Sequence, residues 1–64
     1  MSTVTEQEQA EHAFNRAVGN AAQEADKLRA AVNAGAAGHE LETRVACFVL
    51  AAAQVRNRFE ELED

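Results

Sequence analysis

Six apolar positions in the first half of the chain, Phe14, Val18, Ala21, Ala25, Leu28 and Val32, follow a 4-3-4-3-4 spacing. Seven in the second half, Leu41, Val45, Phe48, Ala52, Val55, Phe59 and Leu62, follow 4-3-4-3-4-3. Alternating threes and fours put residues on one stripe of an α-helix, because 3.6 residues complete a turn. Proline is absent and alanine is the commonest residue, so local propensity agrees with the pattern along the whole chain. Between the stripes lies Asn33-Ala34-Gly35-Ala36-Ala37-Gly38. Gly35 is placed to stop a helix in the left-handed conformation and Gly38 to cap the next one. The spacing predicts an all-α fold: an antiparallel two-helix hairpin, with one helix over about 5–33 and another over about 39–62, forming a single domain across residues 1–64.

The helix ends carry their own signals. Thr5-Glu6-Gln7-Glu8 and Thr3-Val4-Thr5-Glu6 both fit the capping box, in which a threonine hydroxyl accepts from the N–H three residues on and the glutamate reaches back. Glu40 and Glu42 fall in a first turn, where the helix dipole favours negative charge, and Glu40 is spaced to pair with Arg44.

An antiparallel hairpin turning near Ala36 pairs positions whose numbers add to about 73. The expected core layers are Val32 with Leu41, Leu28 with Val45, Ala25 with Phe48, Ala21 with Ala52, Val18 with Val55, and Phe14 with Phe59. Both stripes fall into these layers without adjustment. The Ala21/Ala52 layer is thin, which calls for close approach of the helices or for a side chain from another subunit.

A chain of 64 residues buries too little surface to be comfortably stable without a disulfide, a metal or a partner. The single cysteine, Cys47, excludes an internal disulfide, and its apolar setting reads as an inert buried thiol in a reducing compartment, by default the cytoplasm. A partner is therefore expected. Off the stripe, the middle of the second helix carries Ala46, Cys47, Val49, Leu50 and Ala53, an apolar surface that a lone hairpin leaves in water. The expected interface is this patch, covered by a second copy in a dimeric four-helix bundle.

Other classes find little support. A formal net charge of -5 opposes sequence-independent nucleic-acid binding, which rests on cations neutralising phosphates. The longest uncharged stretch, Val45 to Val55, is well short of a membrane span, and the N-terminal residues carry neither a signal-peptide pattern nor a lipidation motif. His12 and His39 fall at opposite ends of the hairpin, so they share no metal within one chain, and no cofactor or metal is expected. No nucleophile–base set, carboxylate pair beside an apolar pocket or phosphate loop is present, and Gly35-Ala-Ala-Gly38 lacks the Lys-Ser/Thr of a P-loop. The chain is read as a non-enzyme.

Two features stay open. Gly19-Asn20 interrupts the first helix where Ala13, Ala17, Ala21 and Ala22 keep it slim, which reads either as a kink or as a place of close approach by a partner. Glu6, Glu8, Glu11, Glu60, Glu61, Glu63 and Asp64 gather at the open end, with Arg16, Arg56 and Arg58 just inside. The size and hairpin plan are similar to small phage-, plasmid- or host-encoded regulators that act as dimeric hairpins, a likeness of architecture that carries over no residue. The leading expectation is a homo-oligomeric interaction protein that binds and modulates another macromolecule, as an inhibitor, adaptor or antitoxin-like partner does. The second is an oligomer that holds a small anionic ligand at Arg44, Arg56 or Arg58 beside the subunit interface. An RNA-binding bundle of the Rop kind ranks last, for want of a basic face.

Overall fold

A computed structural model describes residues 5–62 of the chain. Two helices, α1 (Glu6–Asn33) and α2 (His39–Leu62), pack side by side as a hairpin, with no strand among the described residues. The expected helix bounds match the structure to within a residue. α1 runs without a break through Gly19-Asn20, and a Cβ built on Gly19 would meet nothing within 4 Å.

Local chemistry accounts for each end. Thr5 is extended (φ -76°, ψ 164°), and its hydroxyl accepts from the Glu8 N–H at 3.1 Å. Only half of the expected capping box forms: the Glu8 carboxylate accepts from the Thr5 hydroxyl at 3.4 Å instead of reaching back to the backbone. The alternative box beginning at Thr3 lies outside the described residues. At the other end of α1 the Ala36 N–H donates to the Ala31 carbonyl (2.9 Å) and the Gly35 N–H to the Val32 carbonyl (3.1 Å). This is a Schellman stop, with Gly35 at φ 83° in the left-handed region. Gly38, at φ 63°, starts α2 by accepting from the Glu42 N–H at 3.0 Å. Both turn glycines thus act where the sequence placed them.

The helices have Cα extents of 50 × 22 × 12 Å, so the molecule is one helix thick. Such a ribbon has no interior. Ala17, 6% exposed, is the only fully buried residue among those described, and everything else along the contact is half-covered.

Gly35→Ala forces an L side chain into the left-handed region and should lower unfolding stability by about 1–2 kcal/mol, read as a lower thermal midpoint. Gly19→Ala should act oppositely, raising stability by up to about 1 kcal/mol, because this helical glycine faces open space. No gain, or a loss, would show that Gly19 is needed by something outside the hairpin.

Candidate interaction surfaces

The contact between α1 and α2 is made by a stripe rotated from the expected one. On α1 the covered residues are Ala10, Phe14, Ala17, Ala21, Glu24, Leu28 and Ala31, flanked by Ala13 and Ala25. On α2 they are Leu41, Arg44, Phe48, Ala51, Val55, Arg58 and Leu62, flanked by Cys47. Both sets keep the 4-3 alternation, and in both every second member has moved back by one residue. α1 thereby offers small side chains to the larger ones of α2, which lets the backbones approach closely. Phe59 lies outside the covered stripe but still reaches Phe14, with ring centroids 6.2 Å apart and planes tilted by 50°.

Five residues assigned to the core by their spacing are instead exposed: Val18 and Val45 at 43%, Val32 at 55%, Phe59 at 48%, and Ala52. The thin layer is Ala21 with Ala51, while Ala52 faces outward. The physical reason is angular. A heptad stripe is broad, one neighbouring helix covers only part of it, and the hairpin places α2 over the alanine side of α1. Each displaced residue lies about a quarter turn from the contact line in the same rotational sense. Because the helices run antiparallel, one sense on both brings these residues to the same broad face of the ribbon. The opposite face holds a groove of different character, lined by Ala13, Arg16, Ala17, Asn20, Gln54 and Arg58.

A second apolar surface runs along the outer ridge of α2. Leu50 is 68% exposed and Val49 57%, with Ala46 and Ala53 also open, whereas Cys47 is half-buried and carries a free thiol. Val49 borders both surfaces; Leu50 leans away from the valine face.

Polar residues enter the contact where hydrophobic spacing alone does not place them. Glu24 is half-covered: one carboxylate oxygen accepts from Lys27 Nζ at 3.3 Å, and Oε2 is buried without a hydrogen-bond partner. Arg44 and Arg58 are half-covered members of the α2 stripe. Ala10, Ala17 and Ala31, on a heptad line interrupted by Glu24, were the available signal for this seam, hidden because alanine reads first as a helix former. Of the candidate arginines, Arg58 pairs with Glu61 (3.0 Å) and Arg56 with Glu60 (3.4 Å). The expected Glu40–Arg44 pair is not formed. These pairs are exposed and contribute a few tenths of a kcal/mol at most. Glu63 and Asp64, placed at the acidic tip by the sequence, lie outside the described residues.

Among the described residues no three His, Cys, Asp or Glu side chains gather as metal ligands would, and no helix is long and apolar enough to cross a membrane. Comparison with family models, with curated proteins and with solved structures finds no match.

Ala17→Leu puts a larger side chain at the most enclosed of the described residues and should cost about 1–3 kcal/mol in urea unfolding. Val18→Ala, one residue away but half in water, should cost well under that when both variants are measured at protein concentrations dilute enough to keep single hairpins. Equal costs would contradict the rotated seam.

Proposed function

We propose that this chain is a non-enzymatic interaction protein, a homo-oligomeric helical hairpin that binds and modulates another macromolecule. The observation that carries this reading is the pair of apolar surfaces on a hairpin with a single buried residue among those described. Contiguous exposed apolar area of this kind marks contact surfaces, and two of them suit a protein that meets both a copy of itself and a target. The outer ridge of Ala46, Val49, Leu50 and Ala53, with Cys47 beneath it, is proposed as the target contact, and the slim, open stretch of α1 around Gly19 as a second place where a partner's backbone could come near. A free thiol suits a reducing compartment, and the cytoplasm is the proposed location.

One observation favours a second reading. Arg16 and Arg58 share the polar groove with Asn20 and Gln54, a set of donors suited to a small anion. In that reading the protein sequesters an anionic ligand, with Arg44 and Arg56 outside this groove.

Capture from the native host separates the two. Wild type and Arg58→Glu should retain the same macromolecule at similar yield, and Leu50→Glu should lose it. A bound small anion lost specifically in Arg58→Glu, with no macromolecule sensitive to Leu50→Glu, would replace the first reading by the second.

A further inference from the structure

We infer that the broad face carrying Val18, Val32, Val45, Val49, Ala52 and Phe59, and not the Leu50 ridge, is where a second copy of this chain packs, with the two turns at opposite ends of the resulting four-helix bundle. The inference rests on the homo-oligomeric part of the function proposed above and adds the face and the orientation.

Three observations converge on it. The first is area. The chain exposes 5078 Å², whereas a compact monomer of its 6.9 kDa mass exposes about 4,000 Å². The surplus of about 1,000 Å² is what one partner contributes to a standard stable interface, roughly 800 Å².

The second is a symmetry in the sequence that only the rotated seam reveals. On this face α2 presents Val45, Val49, Ala52, Arg56 and Phe59, again at 4-3-4-3 spacing. The set is nearly symmetric about Ala52. On α1 the corresponding line runs through Glu11, Asn15, Val18, Ala22, Ala25, Arg29 and Val32 and centres near Ala21 and Ala22, the level of Ala52 in the hairpin. A two-fold axis crossing the ribbon at that level lays α1 on α1 and α2 on α2, antiparallel. Val45 then meets Phe59 of the partner subunit, and Val18 meets the partner's Ala25. Near the axis larger residues oppose smaller ones and the alanines meet; farther out Val49 lies by the partner's Arg56 and Val32 by the partner's Glu11, so the apolar contact is central and the charged positions form its rim. A shallow hollow lined by Gly38, Leu41, Glu42, Val45 and Ala46 at the turn end of this face is positioned to take the partner's Phe59 ring against its apolar members.

The third is charge. Glu6, Glu8, Glu11, Glu60 and Glu61 crowd the open end of each hairpin. A two-fold axis along the bundle would bring both acidic ends together, whereas an axis across it keeps them about a helix length apart. It also sets Arg29 within a turn of the partner's Glu11. The Leu50 ridge has none of these properties: it belongs to one helix only and has no counterpart on α1.

Sedimentation equilibrium of the full chain tests the face. Wild type should be a dimer. Val45→Glu should weaken dimerisation by at least about 100-fold, since it buries an unpaired carboxylate in an apolar contact. Leu50→Glu should change it by no more than about threefold, as expected of a residue outside the interface. Orientation is read separately, without a destabilising charge: in a Cys47→Ser background, Val45→Cys chains mixed with Phe59→Cys chains should oxidise to the mixed disulfide. Disulfide formation between two Phe59→Cys chains in preference to the mixed species would overturn the opposed orientation. A dimer dissociated by Leu50→Glu but not by Val45→Glu would overturn the face while leaving the oligomeric reading intact. A wild-type chain that is folded and monomeric at all accessible concentrations would remove both.

Discussion

Two helices in contact share one line of packing, and the rest of this molecule is arranged around what that line can cover. A helix surrounded by neighbours buries several stripes; a helix with one neighbour buries one, and only residues close to the line lose most of their water. α1 turns its alanines to the line and α2 its larger side chains, so the backbones come close and Ala17 is fully enclosed. That choice maximises intimacy along the seam at the expense of breadth. The valines and Phe59, which carry more apolar area than the alanines, are left at the margin. Since each buried methylene contributes about 0.8 kcal/mol, a hairpin that leaves its bulkiest residues half in water holds much of its stabilising surface in reserve. Any copy that covers the reserve couples stability to protein concentration.

The alternation of threes and fours, the absence of proline and the two glycines were enough to read the hairpin, its bounds and its turn, because all of these act locally. Gly35 and Gly38 adopt positive φ for a reason visible at a single residue, the missing Cβ. The face toward the sibling helix was not legible in the same way. Hydrophobic spacing reports which stripe of a helix avoids water, and Phe14, Ala21, Leu28, Leu41, Phe48 and Val55 satisfy both the expected and the observed seam. Val18 and Ala17 are adjacent in the chain, yet only Ala17 faces the sibling helix, and a hydrophobic scale is blind to that difference. A hydrophobic reading ranks Val18 above Ala17, while close packing prefers the smaller side chain. Glu24 was hidden for the same reason: a carboxylate in a seam follows from geometry and not from its own polarity.

Charge is distributed with equal economy of position. Glu6, Glu8 and Glu11 sit near the N-terminus of α1, where the dipole favours them, but Glu60 and Glu61 sit at the C-terminal end of α2, where it does not. Arg56 and Arg58 lie one turn back and hold them. Because the helices are antiparallel, both acidic groups arrive at the same end, and the hairpin becomes polar along its length, strongly negative at the open end and nearly balanced at the turn. An elongated body with such a gradient distinguishes head from tail for anything that binds along it, a copy of itself included.

The Schellman turn has a consequence for how the ribbon forms. Residues that meet near Gly35 are separated by only a few positions in the chain, while Phe14 and Phe59 are separated by most of it, so the entropy of bringing residues together rises steadily with distance from the turn. Packing therefore spreads from the turn outward, each layer shortening the loop that the next must close. The aromatic pair at the far end closes the longest of these loops and joins two helix ends that both carry carboxylates.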